Sequence, residues 1–382
     1  MIPTPEQQAL RDAARRYARE QLLPHYQARE RAGRLDRAIL VEMGALGLMA
    51  PDLAAEFGGL GVDSVTAGMI IEEISYGDYN IGSVAVVAAL IGAILSRHAA
   101  PQLAGQWVSG LVKGEAVVAL AITEPRGGSD AANLQLRARH DGDHFVIDGE
   151  KTSVTFADWA DAYLVFARTG RPQDGAKGIT AILVPSNLPG IRATRFDDLG
   201  SVALGRGSVF FDEVRVPLDH QVGDLGRGFT QVMQGFDYSR ALIGLQCLSS
   251  AQASLDEAWA YAREREAFGR PIGQFQGVSF PLAEGESQIA AIRQLCYHTL
   301  ALRDAGLPHT AEAAMCKWMG PRTSVDVIHQ CLLTFGHYGW SRDLPHQQRM
   351  RDVMGLQIGD GTAGIMKQVI ARERIGRAAI QY

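Results

Sequence analysis

Cysteine is scarce in this sequence, and the few cysteines are not spaced as metal ligands or as a disulfide framework. The chain of 382 residues contains Cys247, Cys296, Cys316 and Cys331. Zinc sites and disulfide-rich secreted domains use closer, paired cysteines. We therefore expect no metal centre and a reducing, cytoplasmic location.

An excess of positive charge is also missing. The chain carries 37 Lys and Arg against 42 Asp and Glu, which gives a formal net charge of −5. Binding to nucleic acid depends on clustered basic residues that neutralise phosphates. We therefore do not expect nucleic acid among the partners.

A long uninterrupted apolar run is the third absence. The most apolar segment, 81–95, contains Gly82, Ser83 and Gly92. A membrane-spanning helix needs about 20 apolar residues, so this segment predicts a buried helix instead. Residues 1–6 show no basic region followed by an apolar stretch, so we also expect no signal peptide and no membrane association.

The sequence does contain a clear change of period along the chain. Hydrophobic residues make up 47% of it, which suits several domains with buried cores. Residues 1–114 show helical spacing and predict an N-terminal helical domain. Residues 115–225 carry short apolar runs between Gly, Asp and Pro, and they predict a central β domain. Helical spacing returns in 226–382, where the long segments predict a helical bundle.

Individual elements follow from the same patterns. Thr4 caps the first predicted helix, which runs to about Ala32 and breaks near Pro24. A turn is predicted at Asp148-Gly149. The further predicted helices cover 36–46, 64–76, 81–99, 102–113, 282–305, 311–335 and 365–375, and the predicted strands cover 116–122, 145–147, 162–167, 179–185 and 209–216.

One carboxylate near the C-terminus stands between two glycines. Asp360 lies between Gly359 and Gly361 and precedes Thr362 and the predicted helix 365–375. Glycine permits backbone conformations and close approaches that side chains forbid, so this stretch could aim Asp360 into a cleft as a catalytic base. An ordinary loop with a helix N-cap uses the same residue types and is the alternative.

A second stretch, 123–130, follows a predicted strand and reads Thr-Glu-Pro-Arg-Gly-Gly-Ser-Asp. Backbone amides exposed at Gly127 and Gly128, with the hydroxyls of Thr123 and Ser129, could bind a phosphate or the polar edge of a ring. A tight turn between two strands would have the same composition.

Two further stretches carry candidate ligand-binding groups. Thr155 presents a hydroxyl on a predicted strand, where it could equally bond to its neighbours. Arg265 stands near a helix end, before a turn at Pro271 that continues to Gln276. Arginines there could bind a pyrophosphate, or they could complement the helix C-terminus.

Together these stretches resemble the acyl-CoA dehydrogenase family of flavoproteins, over essentially the whole chain. The resemblance rests on 123–130, on the turn 265–276, and on Arg351-Asp352 followed by 360–362. It implies an α+β fold, mostly α, with an N-terminal helical domain, a small central β-barrel or sandwich and a C-terminal four-helix bundle. It also implies FAD, an acyl-CoA substrate, an electron-transfer flavoprotein as electron acceptor, and a homodimer or homotetramer.

The resemblance assigns roles to residues. Asp360 would take the α-proton of the thioester while a β-hydride passes to the flavin. Asp237 and Arg240 would lie near bound coenzyme A and the base. The FAD of a neighbouring subunit would be contacted by three residues of the 265–276 turn. The implied FAD-binding positions are Thr123, Gly128, Ser129, Thr155, Thr362 and those three, Arg265, Phe268 and Gln276.

The sequence also departs from the family pattern. Asp360 replaces the usual glutamate, Ser239 occupies the site where some branches place the base, and Ser153 replaces an aromatic residue. Leu333 and His337 replace the usual glutamine and glycine near the adenine. The aspartate and the Lys-Thr-Ser stretch resemble the branch that acts on cyclohexanecarboxyl-CoA.

We therefore expect an alicyclic or α-branched acyl group. The segment 83–95, which the resemblance places beside the acyl pocket, contains no carboxylate, and this favours α,β-oxidation over 1,4-dehydrogenation. Two alternatives share the fold: a nitroalkane-oxidase-like enzyme with an aspartate base, and a noncatalytic flavoprotein.

Overall fold

Helices occupy the beginning and the end of the chain, and strands occupy its middle. The computed structural model describes residues 2–376. The helices are α1 (Pro5–Tyr17), α2 (Tyr26–Ala32), α3 (Arg37–Ala45), α4 (Ser64–Gly77), α5 (Tyr79–His98), α6 (Pro101–Val112), α7 (Gly228–Glu264), α8 (Gln276–Asp304), α9 (Thr310–Phe335), α10 (His346–Met354) and α11 (Ala363–Ile375). The strands are β1 (Val118–Ala121), β2 (Arg137–Asp141), β3 (His144–Val154), β4 (Ala162–Arg168), β5 (Ile179–Pro185), β6 (Ile191–Arg195), β7 (Gly207–Pro217), β8 (Gln221–Val222), β9 (Glu266–Ala267) and β10 (Arg270–Pro271).

The first helix begins and breaks where the sequence predicts. The Thr4 side chain accepts a hydrogen bond from the Gln7 amide at 3.2 Å, and the Thr4 amide donates one to the Gln7 side-chain oxygen at 3.0 Å. This capping box satisfies amides that the first turn leaves free. The helix then widens to a π turn at Ala18–Leu22 and tightens to a 3-10 turn at Leu23–His25, which contains the proline.

Helix α5 is the apolar segment that the sequence places in the core. It is long and apolar enough to cross a membrane, but 78% of its most apolar window is buried inside the protein. Asp78 caps it, because its carboxylate accepts hydrogen bonds from the amides of Asn80 and Ile81 at 2.8 and 3.1 Å. The predicted buried helix is confirmed.

The central strands form a mixed sheet. Its order is β6-β7-β3-β2-β4-β5-β8, and β1 pairs in parallel with β4. The connection from β2 to β3 turns at Gly142, whose φ is 63°. The predicted turn at Asp148-Gly149 is wrong, because both residues lie inside β3.

A β-bulge explains the glycine in β3. The register of β3 against β7 shifts between Ile147 and Gly149, and Gly149 has a φ of 134°. A side chain there would start 3.1 Å from the Leu136 Cα, so glycine also permits close packing. The turn residues in the sequence therefore mark an irregular strand.

The C-terminal helices pack closely enough to require glycine. A Cβ on Gly320 of α9 would lie 2.8 Å from the Cα of Gly244 of α7. Helix α4 contributes to two cores: Ile70 and Ile74 pack with the N-terminal helices and the sheet, whereas Ile71 packs with the bundle. The predicted helical, β and helical architecture is confirmed. The domain boundaries 1–114, 115–225 and 226–382 stay predictions.

Candidate active site

Asp360 lies in a short segment between α10 and α11 and has an unusual backbone. Its φ is 54°, in the left-handed region, and Gly361 follows with a φ of 102°. Such a conformation costs a non-glycine residue about 1–2 kcal/mol. Thr362 then caps α11, since its hydroxyl accepts a hydrogen bond from the Ile365 amide at 3.4 Å. The sequence alternatives therefore coexist: Thr362 is the helix cap, and Asp360 stands outside the helix.

Two cations flank the Asp360 carboxylate. Burial raises its pKa, while the charges of Lys317 on α9 and Arg240 on α7 lower it. No hydrogen bond contributes to this balance among the residues that the structure describes. Part of the side chain remains accessible to solvent. The carboxylate is thus surrounded by protein, but no group in the described residues donates a hydrogen bond to it.

Arg240 is itself held in place by a neighbour. Its guanidinium donates to Asp237 at 3.2 Å, and the second oxygen of Asp237 accepts from the Thr310 hydroxyl at 2.6 Å. The Arg240 Nε has no partner among the described residues, although it is buried. Burial lowers the pKa of Arg240, and Asp237 and Asp360 raise it. The structure therefore brings three predicted residues, Asp237, Arg240 and Asp360, into one electrostatic cluster.

The turn at 123–130 is organised by a buried ion pair. Lys151 on β3 donates to Glu124 at 2.8 Å and to the Ile122 carbonyl at 2.9 Å. Glu124 also accepts from the amides of Gln135 and Leu136 at 2.6 and 2.8 Å. Burial lowers the pKa of Lys151 to about 8, whereas Glu124 raises it. This pair fixes both ends of the 123–136 loop.

The same turn is joined to β3. The predicted strand position of Thr155 is wrong, because β3 ends at Val154 and Thr155 begins the turn that follows it. The Thr152 amide donates to the Thr123 carbonyl at 2.9 Å. Thr123 and Thr155 are half-buried, whereas Gly128 and Ser129 are exposed. These predicted residues therefore form a second group, on the sheet side of the fold.

Arg265, Phe268 and Gln276 form a third group, on an exposed hairpin after α7. The Arg265 amide donates to Tyr261 at 2.8 Å and closes the helix. Phe268 is 95% exposed and has a φ of 54°. Its ring meets Phe275 edge to face, with centroids 6.0 Å apart.

Arg351 and Asp352 tie three parts of the fold together. Arg351 pairs with Glu30 at 2.6 Å and donates to the Leu199 carbonyl at 2.9 Å. A Cβ on Gly200 would lie 2.3 Å from the Arg351 carbonyl oxygen, so only glycine permits this contact. The residue pair that precedes the Asp360 segment therefore joins the N-terminal helices, the β domain and α10.

Asp352 is the centre of this junction. Its carboxylate accepts hydrogen bonds from Tyr26 at 2.6 Å, Asn80 at 3.1 Å and the Ser201 amide at 2.5 Å. Burial raises the pKa of Asp352 to about 7 in spite of the bonds from Tyr26 and Ser201. We call these residues the Asp352 junction.

Comparison with known proteins decides the family. The profiles described as acyl-CoA dehydrogenase N-terminal, middle and C-terminal domains match residues 4–115, 119–214 and 226–375. The short-chain specific acyl-CoA dehydrogenase of Bos taurus mitochondria is 35% identical over 367 residues, which cover 95% of this chain and 89% of that protein. The chain belongs to the acyl-CoA dehydrogenase family.

Solved structures agree with this assignment. Butyryl-CoA dehydrogenase from Megasphaera elsdenii superimposes with a TM-score of 0.94 and is 28% identical, covering 98% of this chain and 99% of that one. A chain from a study of the electron transferring flavoprotein of Acidaminococcus fermentans has a TM-score of 0.95 and 30% identity over 98% and 99% of the two chains. The protein is therefore a flavin-dependent oxidoreductase, and its cofactor is FAD.

The turn at 123–130 fits the cofactor of an acyl-CoA dehydrogenase. A Cβ on Gly127 would meet no atom within 4 Å, and one on Gly128 would meet only the Thr123 methyl group at 3.6 Å. The turn is thus an open ledge from which amides and hydroxyls can reach a flavin or its phosphates. Thr123 and Thr155 border this ledge, and Ser129 lies at its exposed end.

The family departures also have a structural setting. Ser239 is buried, and its hydroxyl bonds to the Phe236 carbonyl at 3.4 Å, so this site holds no carboxylate. Ser153 is exposed with a φ of 56° and accepts a hydrogen bond from Arg206 at 2.9 Å. Of the two carboxylates in the electrostatic cluster, Asp237 is occupied by Arg240 and Thr310, whereas Asp360 accepts no hydrogen bond within the described residues.

Sequence patterns alone did not find three residues of this site. Glu124 lies inside the 123–130 stretch and Lys151 four residues before Thr155, but their pairing joins the turn after β1 to β3. Lys317 sits in the apolar run 311–320 of α9. A single charge on a buried helical face is the one signal that could have indicated it.

Proposed function

We propose that this acyl-CoA dehydrogenase performs α,β-dehydrogenation of an acyl-CoA thioester with Asp360 as the α-proton base. The observation that carries the proposal is the setting of Asp360: a strained, half-buried carboxylate under the influence of two cations, with no hydrogen bond from residues 2–376. Strained backbone conformations of this kind concentrate at functional sites.

Asp360 must be ionised to take a proton. Burial disfavours the charged form and raises the pKa of the carboxylate, whereas the charges of Lys317 and Arg240 oppose this effect and favour the ionised form. A general base works best when its pKa is raised toward the working pH but the group is still ionised there. The two opposing effects suit a general base.

Arg240 and Asp237 support a role at the thioester. The Arg240 Nε is buried and has no partner within residues 2–376. A buried donor without an acceptor is costly, so we propose that bound substrate supplies the acceptor. Asp237 holds the other side of the guanidinium.

FAD, when bound, supplies the acceptor for the β-hydride. We propose that Thr123, Gly128, Ser129, Thr155 and Thr362 hold it. The Glu124–Lys151 pair keeps the loop that carries the first of these residues in shape. The fold must then align the α-proton of the substrate with Asp360. Such positioning can lower the reaction barrier as much as the reacting groups themselves do.

The acyl group is proposed to be short and either alicyclic, as in cyclohexanecarboxyl-CoA, or branched at the α-carbon. Aspartate is one methylene shorter than the family's usual glutamate, so the α-carbon must approach the backbone more closely. Gln246 on α7 donates to Ser83 at 2.5 Å and to the Tyr79 carbonyl at 3.0 Å, so α5 and α7 share a polar contact. The bovine relative is named for short chains, and the Megasphaera relative for butyryl-CoA.

The electron acceptor is proposed to be an electron-transfer flavoprotein, and the protein a cytoplasmic homodimer or homotetramer. Four buried free cysteines suit a reducing compartment. The exposed Phe268, with Arg265 and Gln276 beside it, suits a subunit interface at which these residues reach a neighbouring FAD.

A flavin-reduction screen tests the substrate class. The FAD-loaded protein is mixed anaerobically with cyclohexanecarboxyl-CoA, isobutyryl-CoA, butyryl-CoA and octanoyl-CoA, and bleaching of the flavin absorbance is followed. We expect the alicyclic and branched thioesters to reduce the flavin fastest. Fastest reduction by butyryl-CoA would overturn the proposed acyl group but keep the reaction.

Two other outcomes would replace the reaction itself. Bleaching by a nitroalkane, with no response to any thioester, would make the protein a nitroalkane-oxidase-like enzyme. Bleaching by none of these compounds would favour a noncatalytic flavoprotein. A control with free coenzyme A separates binding from reduction.

A further inference from the structure

Lys317 is a buried lysine whose side chain reaches the Asp360 segment from α9. It is 1% exposed. Its Nζ donates to the Leu356 carbonyl at 2.7 Å and to the Gly361 carbonyl at 2.8 Å. The two carbonyls lie on either side of Asp360 in the chain. One ammonium group therefore bridges both ends of the segment.

The place of Lys317 in the bundle is rigid. It lies one turn before Gly320, where α9 and α7 approach so closely that a Cβ would clash. Burial lowers the pKa of Lys317 to about 8, and Asp360 is the neighbour that raises it most. The lysine thus still carries its charge at neutral pH, and two carbonyls and one carboxylate compensate that charge.

Apart from Lys317, the described contact that ties the segment to the bundle core is the partly buried side chain of Leu356. Ile358 is 73% exposed, and the amides of Ile358 and Gly359 bond only back to the Gly355 carbonyl within the same segment. Asp360 has a φ of 54° in spite of its side chain. A strained conformation persists only where its surroundings fix it. The two hydrogen bonds from Lys317 provide such an anchor from outside the segment.

We propose that Lys317 is the positioning residue for the base: it fixes residues 356–361 through two carbonyls and favours the ionised form of Asp360 by its charge. The proposal rests on the proposed role of Asp360. It concerns how the carboxylate is aimed and kept ionised, and it does not require Lys317 to touch substrate.

Other titratable groups face the same site and define the background of the test. Arg240 and Cys247 lie on α7, with Asp237 beside the arginine. Tyr79 lies on α5, and the Asp360 charge reaches it. Arg372 on α11 acts on Arg240. Substitution of Lys317 leaves these charges unchanged. A shift of the acid limb, the part of the pH–rate profile where the rate falls with decreasing pH, therefore reports on Lys317.

The test combines Lys317→Met, Lys317→Arg and a control, Lys367→Met. Lys367 lies on α11, is exposed and packs over the Trp318 ring at 4.8 Å, so it is a nearby lysine without a link to Asp360. The rate of anaerobic flavin reduction by the best thioester is measured from pH 5 to 9 for each FAD-loaded protein. Thermal unfolding and flavin content report on folding.

We expect Lys317→Met to slow reduction by roughly tenfold to a hundredfold, because a displaced catalytic group costs that much. Its acid limb should move to higher pH, since loss of a positive charge raises the pKa of Asp360. Lys317→Arg keeps a charge and donors and should recover most of the rate and the acid limb of the parent. Lys367→Met should match the parent.

An unchanged acid limb in Lys317→Met would overturn the proposal, whether or not the rate falls, because a purely structural lysine would not affect the ionisation of Asp360. If Lys317→Met does not yield folded protein, Lys317→Gln replaces it. Glutamine keeps a donor but no charge, and the same shift of the acid limb is expected.

Hydrogen exchange keeps this test separate from the proposed function. Amides of residues 355–361 should exchange at least about tenfold faster in Lys317→Met than in the parent or in Lys367→Met. Equal exchange would overturn the anchoring role even in an active enzyme. A parent that no thioester reduces would end the proposed function, while the exchange result would still decide whether Lys317 holds the segment.

Discussion

Two carboxylates close together in the sequence, Asp352 and Asp360, occupy opposite environments. Asp352 is almost fully buried and accepts three hydrogen bonds, from Tyr26, Asn80 and the Ser201 amide. Asp360 is half-buried, has a left-handed backbone, and its pKa is set by burial and by two charges.

The comparison shows how one short stretch of chain serves two purposes. A carboxylate surrounded by donors stabilises the fold and has no capacity left for a substrate. A carboxylate without donors destabilises the fold slightly but is free to accept a proton. We infer that the first holds the domains together so that the second stays in register with its substrate.

The largest expected effect is the loss of the Asp352 junction. Asp352→Ala leaves three donors without their acceptor, and we expect it to lower the free energy of unfolding by about 3 kcal/mol. Chemical denaturation of the FAD-loaded protein measures this loss. An equally large loss in Asp360→Ala would break the comparison, because Asp360 accepts no hydrogen bond from the described part of the chain.

The pH dependence of stability should follow the junction. Burial raises the pKa of Asp352 to about 7, so the folded protein binds a proton that the unfolded chain has already released between about pH 4 and 7. Stability from this group therefore falls as pH rises through that window, by roughly 1.4 kcal/mol for each pH unit. Asp352→Asn should lose this component. Denaturation curves at pH 5 and pH 8 that decline equally in parent and variant would contradict the assignment.

The hairpin after α7 tests the oligomer part of the account. Arg265→Ala removes an exposed guanidinium, so the stability of the chain should hardly change. We expect FAD affinity to fall about tenfold, because the variant cannot make the proposed contact between Arg265 and an FAD phosphate. Flavin retention on gel filtration measures this, with Arg263→Ala, an exposed neighbour in the last turn of α7, as the control. Unchanged retention would remove Arg265 from the cofactor site.

The smallest effect concerns backbone strain. At Asp360, glycine should be more stable than alanine by about 1 kcal/mol, because a φ of 54° penalises a Cβ. At Asp352, inside α10, the order should reverse by about the same amount, because glycine is the poorer helix former. Equilibrium unfolding of the four variants gives both differences. The same order at both positions would refute the strained conformation.

Sequence reasoning predicted the architecture because each part carries a clear period. The polar elements were missed: β2 and β6 alternate charged and small residues, and α10 (His346–Met354) is rich in polar side chains. The polar residues of α10 are buried by neighbours that are distant in sequence, whereas β2 and β6 are held mainly by pairing with β3 and β7. The one wrong turn, at Asp148-Gly149, shows that glycine can serve a bulge as well as a turn.

The parts of the site that consist of one continuous segment could be predicted from the sequence. The parts that depend on contacts between distant residues could not. The Asp360 stretch, the 123–130 ledge and the exposed hairpin are continuous segments that a reader can identify. Lys317 binds carbonyls beyond the end of its own helix, and Asp352 binds Tyr26 from the start of the chain. Contacts of this kind exist only in the folded protein.

The most direct test of the account is the rate of anaerobic flavin reduction in Asp360→Asn, measured beside Asp352→Asn with the best thioester. Both variants are expected to retain FAD. Asp360→Asn should reduce its flavin about a thousandfold more slowly than the parent, because the general base is lost. Asp352→Asn should reduce at close to the parental rate. Reduction of Asp360→Asn at the parental rate would contradict the central claim that Asp360 takes the α-proton.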